Sequence, residues 1–547
     1  MQAARQNLPS GTDITYPEPP KEFACGIGHT RRGTRRVTRQ QEIFCWDTAA
    51  VRENATSIKK INRFGRYSTP KIPQKNVCAN SRIMIDSGQS ERAIMALRIS
   101  ACRTAKDTGE RLEAVEARPL GVEPIEMILD PKLHFQTVRG FGGAFTEAGG
   151  WVLSKLPGSK QEQILERYFN PVTGLGYSFC RSHINSCDFS LDNYSCCEVP
   201  GDTALSEFNL HRDEKWLLPF IERAMAVPGS RFQLLVTPWS PPAWMKTNEC
   251  MNKGGKLKKE YRETWARFFA RFIRAYRDRG IPVTMASVQN EPEARQKWDS
   301  CLWTAEEEGE FVAEFLGPVL QREGLGDVDI LIWEHNRDAM VRRAIQTMGV
   351  PGAARYIHGT SFHWYNGEGF ENVSRVHELF PEKHLYFTEG CLEHRPRTGG
   401  WHQGEHYAHH IINDMNNWCE GWIDWNMILS IEGGPNHAGN FCDAPVIADV
   451  VTGEVIHQSS FWYLGHFSKF VRPGFFRIAC DVCGNIPRTT EKGPGIEATA
   501  FSKTELDAVA VVLNRTEQPC DLRIRAFGET TDVGIPERSI STFVVGK

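Results

Sequence analysis

Residues 261–292 read YRETWARFFARFIRAYRDRGIPVTMASVQNEP. Trp265, Phe268, Phe269, Phe272 and Tyr276 recur at helical spacing, which predicts a helix with one apolar face packed on a sheet. A short apolar run, VTMASVQ, follows and stops at Asn290-Glu291-Pro292. This helix-then-buried-strand pattern repeats on both sides. Further strands are expected at YSFCRSHI (177–184), RFQLLVTP (231–238), DVDILIWE (327–334), YIHGTSFHW (356–364), KHLYFTE (383–389) and GWIDWNMIL (421–429). A second helix is expected at DEKWLLPFIERAMAV (213–227). Upstream, PIEMILDPKLHFQTVRGFGGAFTEAGG (124–150) reads as a strand, a Gly-rich turn and the start of a helix. Alternation over this length gives an α/β class, a parallel barrel or a doubly wound sheet.

The texture changes after about residue 455. FRIACDV, IEATAFS, LDAVAVVLNR, CDLRIRAF and SISTFVV are short β-like runs separated by turn residues, and they predict an all-β sandwich. The expected organisation is therefore 1–94 as a poorly ordered or non-native extension, 95–135 as strands added to the sandwich, 136–455 as the barrel and 456–547 as the sandwich. The first stretch holds a basic cluster (Arg31, Arg32, Arg35, Arg36 and Arg39) that could be a targeting or nucleic-acid arm, but its scattered prolines and lack of periodicity favour an unstructured extension.

Composition excludes several functions. The 547 residues carry 64 basic and 67 acidic side chains, a net charge of −3, with no field to attract nucleic acid or an anionic membrane. No apolar run is long enough to span a bilayer, and the N-terminus lacks the apolar core of a secretory signal, so the expected location is cytoplasmic. Asn54, Asn193, Asn372 and Asn514 stand in glycosylation sequons, which matter only in a secreted protein. Neither a GxGxxG after a strand nor a GxxxxGK[ST] is present, so nucleotide binding has no support. Cys480 and Cys483 form a single CxxC without a second pair or a histidine at zinc spacing, so no metal site is expected.

Barrel enzymes carry their chemistry at the C-terminal ends of the strands. Here those ends are polar and aromatic: Trp239, Asn290-Glu291, His363-Trp364-Tyr365, Glu389 and Trp425-Asn426. A carboxylate ending an apolar strand is partly desolvated, and two of them on facing strands are the apparatus of glycoside hydrolysis. Aromatic rings suit the apolar faces of sugars, while Asn, Asp and His suit their hydroxyls. Glu334, after DVDILIW, is a third carboxylate that spacing does not separate from the other two.

At these residues the sequence resembles glycoside hydrolase family 30, and within it the acid β-glucosidases (glucosylceramidases). The resemblance runs from about residue 135 to the C-terminus through GFGGAFTEA, SCDFS, TPWSPPAWMKTN, TWARFFARF, QNEPEA, FHWY, YFTEG, GWIDWN, EGGPNHAGNF and YLGHFSKF. It implies a (β/α)8 TIM barrel with a β-sandwich side domain and a retaining mechanism. It implies Glu291 as acid/base and Glu389 as nucleophile, with Arg181, Asp188, Trp239, Asn290, His363, Tyr365, Trp425 and Asn440 holding the sugar and the nucleophile. No metal or organic cofactor is implied. The expected partner is a β-glucoside, either glycolipid or oligosaccharide; the oligomeric state stays open. Glu147 replaces an Asp of the enzymes compared, His437 replaces a Trp, and the insert after Glu291 is shorter, all on the aglycone side or behind the sugar. The same fold acting on β-1,6-glucan, a β-xyloside or a β-fucoside is the alternative, and a non-catalytic carbohydrate-binding protein is a more distant one.

Overall fold

The computed structural model describes residues 97–487, 489 and 495–547, so the extension expected over 1–94 lies outside the described residues, as does Asn54. Eight parallel strands close into a barrel: Gly140–Phe145, Phe179–Ile184, Gln233–Pro238, Val283–Ser287, Asp329–Asn336, Ile357–His363, His384–Glu389 and Gly421–Asn426. They are called here the first to eighth barrel strands. Phe179, Leu235, Met285, Leu331, Tyr386 and Ile423 meet inside as one buried plug, so the barrel is a packed core and not a pore. The helix Arg262–Asp278 buries Trp265, Phe268, Phe269, Phe272 and Tyr276 against the outside of the barrel, as their spacing predicts.

The GFGG segment differs from its sequence reading. It is not a turn but the first barrel strand, paired with the eighth from Gly140 to Ala144. Glycine is needed there for close approach: a Cβ on Gly142 would sit 2.0 Å from the Phe179 carbonyl oxygen, and one on Gly143 2.7 Å from Met427.

The remaining large sheet has nine strands, among them Arg98–Ala105, Glu113–Val115 and Pro124–Thr137 from before the barrel. Its period-2 alternation sorts side chains between two cores. In the strand Asp507–Asn514, Ala508, Ala510 and Val512 enter the core of the sandwich. Val509, Val511 and Leu513 face the barrel core instead. Between barrel and sandwich the chain forms the helix Ser459–Ser468, a segment given to the β-domain by its sequence texture alone. Asn514 is fully buried and donates to the Gln518 and Pro536 carbonyls, so it is no glycan acceptor in the folded protein. Cys480 and Cys483 stand three apart on the strand Phe476–Cys483, and both are free thiols.

Candidate active site

The C-terminal ends of the strands converge on one cation. Arg181, in the second barrel strand, is fully buried. Its Nη1 donates to Glu389 Oε2, and its Nη2 donates to Asn290 Oδ1 at 2.7 Å and lies 2.8 Å from Glu334 Oε1. Burial disfavours the guanidinium charge, but the Glu334 and Glu389 carboxylates outweigh it, and the net direction is upward. One fork-shaped donor thus fixes three side chains from the fourth, fifth and seventh strand ends.

Glu334 is thereby separated from the other two carboxylates. It is completely buried beneath the site, where it accepts from Thr237 Oγ1 at 3.1 Å. Burial pushes its carboxyl up, with the Arg181 charge opposing. Glu389 and Glu291 instead open into a cavity of about 150 Å³ at the mouth of the barrel. Tyr365 Oη donates to Glu389 Oε1 at 2.9 Å. With Arg181 on the other oxygen, both Glu389 oxygens are held. One oxygen of Glu291, one of Glu389 and a ring nitrogen of His363 all lie within 4.8 Å of one another. His363 Nδ1 is 3.4 Å from Glu291 Oε1, and burial drives this imidazole far towards its neutral form. Glu291 itself has a left-handed backbone (φ 47°), held by its N–H donating to the Glu334 carbonyl at 2.9 Å.

The far wall combines two aromatic rings with a carboxylate and two amides. Trp239 and Trp425 stack at 5.1 Å with planes 19° apart, and the Arg181 guanidinium lies 4.5 Å from the Trp239 ring centre. Asp188 Oδ2 accepts from Asn440 Nδ2 at 3.2 Å and Asn436 Nδ2 at 3.1 Å, while Oδ1 takes no donor among the described residues. Burial first, and then the Glu389 charge, push the Asp188 carboxyl up to about 7. Of the residues expected from the sequence, Asp188, Trp239, Asn290, Glu291, Tyr365, Glu389, Trp425 and Asn440 line the cavity. Arg181 and His363 are buried beneath it and touch its carboxylates.

Sequence reading missed a second group. Gln296, Trp298, His335, Asn336 and Glu393 complete the cavity wall, together with the thiols Cys391 and Cys442. Asn436 was also missed, although it stands inside the quoted EGGPNHAGNF. Asn336 was one step away, two residues past Glu334 at the end of the fifth strand; it accepts the Tyr365 N–H at 2.8 Å. Glu147 is fully buried, accepts the Leu191 N–H at 2.8 Å and pairs with Arg212 at 2.5 Å, so it braces the loop that carries Asp188.

The trio Glu291, His363 and Glu389 has donor atoms close enough to hold a metal ion. Arg181 already neutralises Glu389, and a divalent cation there would stand against a buried guanidinium, so these residues fit a metal poorly. A larger hollow of about 720 Å³ beside Trp244 and Tyr261 contains neither Glu291 nor Glu389. No helix among the described residues is long and apolar enough to cross a membrane.

The chain is 33% identical over 461 residues to the lysosomal acid glucosylceramidase of Mus musculus, covering 80% of this chain and 87% of that protein. The crystal structure of SrfJ from Salmonella typhimurium superposes with a TM-score of 0.76 at 33% identity, over 82% of this chain and all of that one (100%). The endo-β1,6-glucanase BT3312 follows at 26% identity and a TM-score of 0.73, over 82% and 100%. Residues 138–471 match the glycosyl hydrolase family 30 TIM-barrel domain, and residues 477–543 match that family's β-sandwich domain. With both domains matched in order around a paired-carboxylate cavity, the chain belongs to glycosyl hydrolase family 30, a family of glycoside hydrolases.

Proposed function

We propose that the protein is an exo-acting, retaining β-glucosidase of the glucosylceramidase type. The retaining part of this reading is carried by the spacing of the two carboxylates, whose nearest oxygens lie within 4.8 Å, and its glucoside part is supported by the likeness to the acid glucosylceramidase. Retaining enzymes keep the two carboxyl groups about 5–5.5 Å apart, whereas inverting enzymes leave room for a water between them. In this reading Glu389, ionised and held by Arg181 and Tyr365, attacks the anomeric carbon. Glu291 gives its proton to the departing glycosidic oxygen. Glu291 then takes a proton from water, whose oxygen displaces Glu389 and frees the sugar with its β configuration restored. In this reading Asn290, held by Arg181, donates to the sugar 2-hydroxyl, and Asp188, held by Asn436, accepts from the sugar's other hydroxyls.

A second reading is an endo-acting β-1,6-glucanase, favoured by the polar outer wall of Gln296, His335, Asn336 and Glu393 and by the likeness to BT3312. One panel separates the two. Wild type and Glu389→Gln are assayed on aryl β-D-glucoside, β-xyloside and β-fucoside, glucosylceramide and β-1,6-glucan, with the product anomer followed by NMR. Glucose released first as the β-anomer, and lost in Glu389→Gln, supports the proposal. Disaccharide products from the glucan, or first release of the α-anomer, would overturn it.

A further inference from the structure

His437 stands on the loop 433–442, close to the sugar side of the cavity but outside its lining. Its Nε2 lies 2.9 Å from Asp299 Oδ2 and 3.1 Å from the Cys187 carbonyl. Its backbone N–H is 3.2 Å from the carbonyls of Asp188 and Ser190. Asp299 is almost wholly buried and is held in turn by Ser186 Oγ at 2.5 Å and Asn193 Nδ2 at 2.9 Å. Three loops therefore meet at one imidazole. The first carries Asp188. The second runs on from Glu291 and carries Gln296 and Trp298 of the outer wall. The third carries Asn436 and Asn440, the two donors on Asp188 Oδ2.

The order of these contacts matters. Asn436 Oδ1 accepts the backbone N–H groups of Ala438 and Asn440, so the loop is rigid within itself. A rigid loop still needs a fixed point on the barrel if its two amides are to meet a carboxylate within hydrogen-bond tolerance. His437 lies between those two asparagines and supplies that point. An aromatic ring of similar size would fill the space but could not donate to Asp299 and Cys187 together. A buried carboxylate left without its donor is costly, so the pair is stable only when the loops are together.

We propose that His437, through Asp299, is a positioning residue that clasps the sugar-side loop to the aglycone-side loop and so places Asp188 for the substrate. The inference rests on the β-glucosidase reading for the identity of the sugar, but not for the clasp itself. Asp299 and Asp188 are the charged groups facing the imidazole. Burial works against its protonation, their charges more than offset this, and the net direction is upward.

The test uses the full chain with His437→Ala, His437→Gln and Asp299→Asn. Kinetics are measured on whichever aryl β-glycoside the wild type cleaves, and backbone hydrogen exchange is followed by mass spectrometry. His437→Ala is expected to raise KM about tenfold or more with kcat held within about threefold, the worth of one charge-assisted hydrogen bond spent on binding. Exchange is expected to accelerate in both 296–300 and 433–442. Asp299→Asn, whose amide oxygen still accepts from His437 without the charge, should lose less than His437→Ala, and His437→Gln, whose amide can still donate to Asp299, should recover most of the loss. Unchanged KM in His437→Ala, an equal loss in His437→Gln, or acceleration confined to one loop would overturn the clasp. If the wild type cleaves no β-glycoside, the functional reading fails by itself, and unaltered exchange in His437→Ala would then defeat the clasp separately.

Discussion

Arg181 Nη2 lies 2.8 Å from Glu334 Oε1, with both side chains at 0% exposure, while the other arm of the same guanidinium holds Glu389. One buried cation thus serves two carboxylates and an asparagine, and only its planar fork reaches all three. Lysine would keep the charge but lose the geometry. Arg181→Lys is expected to fold, to lose about 3 kcal/mol of stability as one buried carboxylate goes unmatched, and to lower kcat/KM at least about tenfold as Asn290 and Glu389 drift. Urea unfolding and steady-state kinetics check this together. A variant with wild-type stability would show that Glu334 is neutral and needs no partner.

Tyr365 lies 2.9 Å from the Glu389 oxygen that Arg181 does not hold. Its hydroxyl is also 3.5 Å from Cys391 Sγ, and burial pushes the phenol far above its ordinary range, so it stays a donor. Tyr365→Phe removes the donor and little volume. The expected result is a fall in kcat/KM of about tenfold, the net worth of a hydrogen bond to a charged group, with Tm nearly unchanged. Cys391→Ser, which keeps the tyrosine, should retain most activity. Equal losses in both variants would mean that the ring is held by the thiol and not by the carboxylate.

The strand ends were legible because chemistry breaks the apolar pattern there. Glu291, Glu389, Trp239 and Trp425 each follow a run of buried residues, and polar or aromatic groups at such places have few structural reasons to exist. Arg181 could be named only through the family resemblance, because an arginine inside the run FCRSHI carries no sign of what it faces. The first barrel strand was hidden for the opposite reason. Its glycines, chosen for contact with Phe179 and Met427, read locally as a turn. The outer wall was hidden because Gln296, Trp298 and Glu393 lie on loops, where no periodicity links a residue to a face. The Asp299–His437 pair spans 138 residues of chain, and nothing local announces it.

Asp188 makes stability depend on pH in a direction that can be isolated. Its folded value of about 7 lies above its ordinary value of 3.8. The stability it contributes is therefore fully present below the lower value and is lost as pH rises through the upper one. Asp188→Asn keeps an acceptor for Asn436 and Asn440 but cannot ionise. The Tm of Asp188→Asn minus that of wild type is expected to grow from about pH 4 to about pH 8, while KM rises at every pH. Scanning fluorimetry at three pH values checks the slope. A difference independent of pH would mean that a bound donor keeps Asp188 ionised throughout.

One tie between the barrel and the sandwich is Arg538, which donates from Nε and Nη2 to the two oxygens of Glu405 at 2.7 and 2.6 Å. Glu405 belongs to the helix His402–Asn416, and burial pushes its carboxyl up to about 7 even with Arg538 beside it. Trp401 Nε1 donates to the Arg538 carbonyl at 3.1 Å, so the backbone is tied as well as the side chain. Arg538→Ala leaves a buried carboxylate without its cation. The Arg538 side chain is 23% exposed, so the loss is discounted for solvent to about 2 kcal/mol at pH 8. At pH 5 Glu405 can take up a proton instead, and the loss should shrink. Arg538→Met combined with Glu405→Leu should recover stability at both pH values, because a packed apolar pair carries no desolvation cost. If the single and double variants unfold alike at pH 8, the junction is held by the buried strand faces around Val509 and Val511, and the ion pair is incidental.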